Sequence, residues 1–274
     1  MSTPDDVKAR VAAAYNSAAD FYDHAANSFW ERFGQRTIDR LNVRSGSRVL
    51  DLCCGSGASA LPAALAVGPT GRVVAVDLAG ELIQLGRAKA QRLGRTNVEF
   101  RIADLMELDE PRRTFDEVVC VFGIFFVPDK VAALRQMWSF VGDGGRLAVT
   151  TWGAGVFEPV NSTYWNAIRR VRPELCRSFN PWDQLGEPRL VQELFDEAGC
   201  PSVDVVIEKG ANPITSDEDV LALLMGTGYR GVIEQLSKSA WADVRDEVLE
   251  SMQRSAVRSV STDVMYAQCV KKGG

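Results

Sequence analysis

The stretch Arg48–Asp77, RVLDLCCGSGASALPAALAVGPTGRVVAVD, decides the fold. Two short apolar runs, Val49–Leu52 and Arg72–Val76, have the β-branched content of buried strands. A small-residue turn, Cys53–Gly57, and an Ala/Leu-rich segment of helical length lie between them. The pattern predicts a strand–turn–helix–strand unit whose two strands are parallel and joined by a right-handed crossover.

The turn of this unit is suited to a ligand that contains a nucleoside. Gly55 and Gly57 allow the backbone to turn sharply and to approach a ligand closely. The helix that follows presents free N–H groups and a positive dipole end. Asp77 ends the second strand, where a carboxylate can accept hydrogen bonds from both ribose hydroxyls. The spacing alone does not choose the cofactor, because Gly55–Ala60 is also a degenerate dinucleotide-binding motif.

Four blocks of the sequence stand in a recognisable order. The first is VLDLCCGSG, in which Asp51 precedes Gly55 by four residues. The others are IADLMEL (Ile102–Leu108), FDEVVCVFGIFFVPD (Phe115–Asp129) and FVGDGGRLAVTTW (Phe140–Trp152). Over residues 10–152 these blocks resemble class I S-adenosylmethionine-dependent methyltransferases. The most similar group is the ubiquinone/menaquinone-type small-molecule methyltransferases.

The resemblance implies an α/β fold of the Rossmann-like methyltransferase type. We expect a seven-stranded, doubly wound, mostly parallel sheet with an antiparallel last strand and a helical, aromatic cap. The expected segments are N-terminal helices over the cofactor site (1–44), an S-adenosylmethionine-binding core (45–152), a cap insertion (153–187), a continuation of the core (188–210), a helical insertion (211–260) and the last strand of the core (261–274).

The resemblance also implies how S-adenosyl-L-methionine would bind. The methionine end is expected near Tyr22, the ribose on Asp77, and the adenine at Asp104 and the backbone N–H of Leu105. Cys53 stands where the family motif has its first glycine, so this position tolerates a small side chain. The expected cofactor-binding residues are Tyr22, Asp51, Cys53, Gly55, Gly57, Asp77, Leu78, Asp104, Leu105 and Phe122.

The catalytic candidates are few. His24 is the single histidine of the chain, and it lies beside Tyr22, the second candidate; a structural role is the alternative for both. The loop Gly123–Val127 has no histidine where many relatives carry one. We therefore expect catalysis mainly by proximity and desolvation, with an acceptor that is already nucleophilic. The residues expected to line an apolar acceptor pocket are Phe125, Phe126, Trp152, Trp165 and Trp182, although the aromatic cap residues could equally form a satellite core.

Composition narrows the class of protein further. The 274 residues carry a formal net charge of −5, which disfavours a nucleic-acid substrate. No apolar run approaches the roughly 18 residues of a membrane span, and the N-terminus has no signal-peptide pattern, so we expect a cytoplasmic protein. Six scattered cysteines indicate free thiols, and their spacing predicts no metal site. The helical insertion could pack on the cap or form a homodimer.

Three alternatives remain open at this stage. An enzyme of the same fold could use S-adenosylmethionine as a cyclase or lyase instead of transferring its methyl group. A nicotinamide-dependent oxidoreductase could use the same glycine turn, although the spacing of Asp51 and the lack of a Tyr-x-x-x-Lys pair count against it. A non-catalytic binding protein is disfavoured because Gly55, Gly57, Asp77 and Asp104 are all intact.

Overall fold

The computed structural model describes residues 3–176, 180–200 and 202–272. Its strands, numbered along the chain, are β1 (Arg48–Leu52), β2 (Arg72–Asp77), β3 (Val98–Ile102), β4 (Phe115–Val121), β5 (Val141–Trp152), β6 (Asp204–Glu208), β7 (Ala211–Pro213), β8 (Ser259–Ser261) and β9 (Val264–Val270). Its helices are α1 (Pro4–Tyr22), α2 (Phe29–Leu41), α3 (Ala60–Val67), α4 (Gly80–Arg92), α5 (Lys130–Phe140), α6 (Val160–Val171), α7 (Pro188–Glu197), α8 (Asp217–Met225), α9 (Arg230–Ile233) and α10 (Lys238–Arg254).

The central sheet has seven strands in the order β3-β2-β1-β4-β5-β9-β6. The strands from β1 to β5 pair in parallel, while β9 runs antiparallel to both of its neighbours, β5 and β6. The order reverses between β1 and β4, and a ligand site is expected at the carboxyl ends of the strands at such a switch point. The predicted fold class is confirmed.

The sheet is covered on both faces, which is why its central strands are almost continuously apolar. Val49 of β1 packs with the apolar faces of α2 and α3, whereas Leu50 and Leu52 face the larger core on the other side. This division follows from the alternation of side chains along a strand.

The cap and the helical insertion pack together rather than standing apart. α6 of the cap packs against α10 of the insertion, and α9 packs against α1. The segment expected to be purely helical also contains strand: Ala211–Pro213 pairs antiparallel with Ser259–Ser261. This two-stranded sheet joins the two ends of the insertion, directly before the chain enters β9.

The N-terminal helix is fixed by its own first turn. The hydroxyl of Thr3 accepts the N–H of Asp6, and the Asp6 carboxylate accepts the N–H of Thr3, which forms a capping box. Pro4 occupies the first turn, where its missing N–H costs nothing. α1 thereby starts at a defined point and runs across the carboxyl edge of the sheet, where it forms a wall of the candidate site.

Candidate active site

The glycine turn after β1 forms the floor of the site. Gly55 has a φ of +53°, and a Cβ there would lie 2.6 Å from the Tyr22 hydroxyl oxygen, so a side chain is excluded. Cys53 also has a positive φ, of +59°, although it is not glycine. Phe122, after β4, does the same with a φ of +56°. Such strained residues concentrate at functional sites, and these two stand at the ends of neighbouring strands.

Asp77 holds this turn in place. One carboxylate oxygen accepts the Gly55 N–H and the other accepts the Ala79 N–H, each at 2.8 Å. Burial raises the pKa of Asp77, and these two backbone hydrogen bonds oppose that rise. Each carboxylate oxygen has a second lone pair, so the group can also accept hydrogen bonds from a ligand.

A polar network behind the turn ties it to two helices. Asp23, which follows α1, accepts hydrogen bonds from the Ser56 hydroxyl at 2.7 Å and from the Lys89 ammonium of α4 at 2.8 Å. Lys89 also donates to Ser56 at 2.8 Å and is only 7% exposed. A buried charge of this kind is retained because it is paired and hydrogen-bonded. Asp23 therefore supports the turn from behind.

A narrow cavity of about 90 Å³ lies above the turn, beneath α1. Small-molecule sites are typically about 300–1,000 Å³, so this cavity is smaller than a typical site. The expected cofactor-binding residues that line it are Tyr22, Cys53, Gly55, Asp77, Leu78, Asp104, Leu105 and Phe122. These residues fit an adenosyl group, because a cradle without Cβ atoms, two acidic groups and apolar walls meet at one edge.

Two of the expected cofactor-binding residues, Asp51 and Gly57, do not line this cavity. Asp51 is fully buried and accepts a hydrogen bond from the Ser59 hydroxyl at 2.7 Å, so it braces the start of α3. Burial raises the pKa of Asp51 to about 7. Gly57 gives room to Phe100 instead, since a Cβ there would lie 2.9 Å from the ring.

An ion pair closes the cavity at the end where the adenine is expected. Lys8 of α1 reaches Asp104 at 2.5 Å, and this contact raises the pKa of Lys8. The other oxygen of Asp104 accepts the Met106 N–H at 2.8 Å. The sequence did not reveal Lys8, because its place depends on how α1 lies across the sheet and not on any local motif.

The two catalytic candidates occupy different places. Tyr22 lines the cavity and stacks on Trp30 with a centroid distance of 5.3 Å. His24 lies outside the cavity lining: its Nδ1 accepts the Ala26 N–H at 3.2 Å, and its Nε2 is 3.7 Å from Glu218. His24 caps a short helical turn at the end of α1.

Of the three tryptophans expected in the acceptor pocket, Trp152 and Trp182 are core residues and Trp165 is half-buried against the core. Trp152 is 1% exposed and stacks on Phe122 with ring centroids 3.8 Å apart. Trp182 is buried edge-on against Tyr229, and the Trp165 indole N–H donates to Asn180 at 2.8 Å. Aromatic residues beside a site satisfy core packing as well as ligand binding, so sequence composition could not separate the two roles.

A second, larger cavity of about 810 Å³ opens beside the first. α1 and α9 form two of its walls, and the loop with Phe125 and Phe126 forms another, so these two predicted pocket residues do face a cavity. Tyr15 and Phe126 line both cavities and pack edge to face with a centroid distance of 5.5 Å. Tyr15 and Phe126 therefore lie at the boundary between the two cavities, which we call the threshold.

Residues 3–176, 180–200 and 202–272 contain neither a candidate metal centre nor a candidate membrane span. Within that part of the chain, no three His, Cys, Asp or Glu side chains are grouped so that they could hold a metal ion. None of the helices there has both the length and the apolar character needed to cross a membrane. Cys53, Cys54, Cys120, Cys200 and Cys269 are free thiols.

The glycine turn and Asp77 would accept either S-adenosylmethionine or a nicotinamide cofactor, and a comparison with protein families distinguishes the two. Residues 4–184 match the model of the ubiE/COQ5 methyltransferase family. The chain belongs to this family. A ubiquinone/menaquinone biosynthesis C-methyltransferase of Cronobacter sakazakii is 38% identical over 206 residues, which cover 71% of this chain and 81% of that protein. An aklanonic acid methyltransferase of a Streptomyces species is 32% identical over 192 residues, which cover 66% of this chain and 87% of the relative.

Solved structures agree on the fold of this ubiE/COQ5 family member. The YcgJ protein from a Bacillus species aligns with a TM-score of 0.57 at 20% identity, covering 89% of this chain and 100% of that one. A SAM-dependent methyltransferase from Aquifex aeolicus aligns with a TM-score of 0.51 at 18% identity, covering 77% and 91%. The [4+2]-cyclase SpnF aligns with a TM-score of 0.55 at 17% identity, covering 89% and 81%. At these identities the likeness concerns the fold alone.

Family and fold together establish the chemistry. This ubiE/COQ5 family member is an S-adenosyl-L-methionine-dependent methyltransferase. The predicted family, activity and cofactor are confirmed, and the oxidoreductase and binding-protein alternatives are not favoured.

Proposed function

We propose that this methyltransferase acts on a small, partly apolar metabolite that binds in the 810 Å³ cavity beside the cofactor. The observation that carries this proposal is the threshold at Tyr15 and Phe126, where the two cavities share their walls. The names of two relatives refer to ubiquinone/menaquinone biosynthesis and to aklanonic acid. Both names support an organic metabolite as the acceptor rather than a macromolecule.

The cofactor would be held by residues from three strand ends and from α1. Asp77 would accept the ribose hydroxyls with its remaining lone pairs. Asp104 and Leu105 would meet the adenine, which requires Lys8 to move away from Asp104. Tyr22 would cover the methionine end. When bound, S-adenosyl-L-methionine supplies an electrophilic sulfonium methyl group.

The side chains around the threshold favour catalysis by positioning. Burial raises the pKa of both Tyr15 and Tyr22, so each phenol stays protonated and can donate a hydrogen bond but does not act as a base. His24 lies outside the cavity lining. We propose that this chain holds the acceptor in line with the methyl group and excludes water, and that the acceptor arrives nucleophilic.

Equilibrium titration tests the cofactor assignment directly. Isothermal titration with S-adenosylhomocysteine should show one site per chain, and titration with NAD⁺ under the same conditions should show none. Binding of NAD⁺ with S-adenosylhomocysteine excluded would contradict the proposed site.

The location and the assembly of the protein are also proposals. The net charge of −5 supports a metabolite rather than nucleic acid as the partner, and we propose a cytoplasmic location. A homodimer formed through the insertion at residues 211–260 would appear in sedimentation velocity as a species of twice the chain mass. A monomer at all concentrations would contradict it.

A further inference from the structure

The charges that line the larger cavity are unevenly balanced. Two carboxylates line it, and each is paired with an arginine: Glu174 with Arg172, and Glu234 with the Arg230 Nε at 2.6 Å. Arg10 and Lys130 also line the cavity. Among residues 3–176, 180–200 and 202–272, no carboxylate forms an ion pair with Lys130. The acidic lining is therefore neutralised within the protein, while Lys130 has no acidic partner there.

Among the described residues, the hydrogen-bond partner of Lys130 is a neutral group. Its ammonium donates to the Val127 carbonyl oxygen at 3.3 Å, a long hydrogen bond to an uncharged group. Burial lowers the pKa of Lys130, and the charge of the neighbouring Asp129 opposes that effect without an ion pair. An ammonium that is partly removed from water and lacks a counterion is stabilised by any anion that enters the cavity.

The position of Lys130 separates two ends of a bound acceptor. Val127 and Pro128 line both cavities, but Lys130 lines only the larger of the two. The aromatic side chains of Tyr15, Phe125 and Phe126 line the apolar part of the larger cavity. A molecule that reaches from the threshold to Lys130 would present an apolar ring system to the threshold and a charged group to Lys130.

We infer that the acceptor is an amphipathic organic anion, whose apolar ring body packs on Tyr15, Phe125 and Phe126 and whose anionic group binds Lys130. A carboxylate or an ionised phenol or enol provides the required charge. The inference rests on the proposed function, since it assumes that the acceptor occupies this cavity. Lys130 is a specificity-determining residue and takes no part in the methyl transfer step.

Two fluorescent probes that differ only in charge test this assignment. 8-Anilinonaphthalene-1-sulfonate carries an anionic group on an apolar ring system, and N-phenyl-1-naphthylamine is the same scaffold without the sulfonate. Binding of each probe is measured on the full chain and on K130M, K130R and K238M. Lys238 is an exposed lysine at the start of α10 and serves as the matched control.

We expect the affinity to fall for the sulfonate probe alone, and only when Lys130 loses its charge. K130M should weaken the sulfonate probe by about tenfold, the size of a charge-assisted hydrogen bond, while the neutral probe is unaffected. K130R should retain most of the affinity, and K238M should match the original chain. Equal loss of both probes in K130M, or loss of the sulfonate probe in K238M to the same degree, would overturn the inference.

A titration of each variant with S-adenosylhomocysteine distinguishes failure of the inference from failure of the proposed function. If K130M binds S-adenosylhomocysteine normally but shows no selective loss of the sulfonate probe, the inference fails while the proposed function stands. If the original chain does not bind S-adenosylhomocysteine, the proposed function fails, and the inference fails with it.

Discussion

At the scale of single residues, Asp77 does most to shape the cofactor cavity. Its two oxygens already accept the N–H groups of Gly55 and Ala79. D77A should therefore weaken S-adenosylhomocysteine binding by about 1–3 kcal/mol, because the ribose acceptor and the support of the turn are lost together. Isothermal titration measures the loss, and D109A, at an exposed aspartate, is the control. Unchanged affinity in a folded D77A protein would refute the ribose role.

Asp51 makes the stability of the protein depend on pH. Burial raises its pKa to about 7 in the folded chain, compared with about 3.9 in an unfolded chain. The folded state therefore holds the proton more tightly, so the contribution of Asp51 to stability is complete below about pH 4 and is lost as the pH rises to about 7.

The variant D51N should remove this dependence, because an amide does not ionise. Its stability relative to the original chain should increase by on the order of 2–4 kcal/mol between about pH 4 and about pH 7, and then stay constant. Urea denaturation at several pH values measures the difference. A difference that does not change with pH would show that Asp51 is already ionised in the folded chain.

Much of the site could be predicted at this scale, and the reason is local. The glycine turn and the acidic residues at two strand ends follow from the spacing of strands in two successive β–α–β units, so Gly55, Asp77 and Asp104 reach one edge by short connections. Lys8 and Tyr15 could not be predicted in the same way. They reach the site because α1, which is distant in sequence, packs across the sheet.

At the scale of elements, α1 controls access to the cofactor cavity. The Lys8–Asp104 ion pair fastens this helix over a space too small for a cofactor, with the two side chains 21% and 12% exposed. K8M should bind S-adenosylhomocysteine about fivefold more tightly, which corresponds to roughly 1 kcal/mol for a partly exposed pair, because the cofactor no longer has to displace Lys8 from Asp104. Isothermal titration measures the affinity, and K8R should restore the original value. Equal affinities of K8M and the original chain would show that the ion pair does not compete with the cofactor.

At Gly34, α2 packs so closely against the start of α3 that no side chain fits between them. A Cβ on Gly34 would lie 2.3 Å from the Ala58 carbonyl oxygen, directly after the glycine turn. G34A should destabilise the fold by about 3 kcal/mol or more, because backbone cannot yield as a flexible side chain does. G94A is the contrast, since Gly94 has a φ of +62° but no atom within 4 Å, and should cost only about 1 kcal/mol. Equal unfolding midpoints for the two variants would contradict this packing.

At the scale of the whole molecule, one helix serves both cavities. α1 covers the cofactor cavity and also forms a wall of the larger cavity, where it packs against α9 of the helical insertion. The sequence predicted the sheet and the existence of a cap. It left open whether residues 211–260 pack on the cap or form a homodimer, because the contact of α6 with α10 joins segments far apart in the chain.

Transfer of an isotopically labelled methyl group shows directly whether this protein methylates a metabolite. The purified protein is incubated with S-adenosylmethionine carrying a trideuterated methyl group and with a metabolite extract, and the products are followed by mass spectrometry. The account predicts S-adenosylhomocysteine in equal amount to a product that is one trideuterated methyl group heavier than an extract component. Consumption of the cofactor without S-adenosylhomocysteine, for instance with release of methylthioadenosine, would contradict methyl transfer and support a cyclase or lyase reaction.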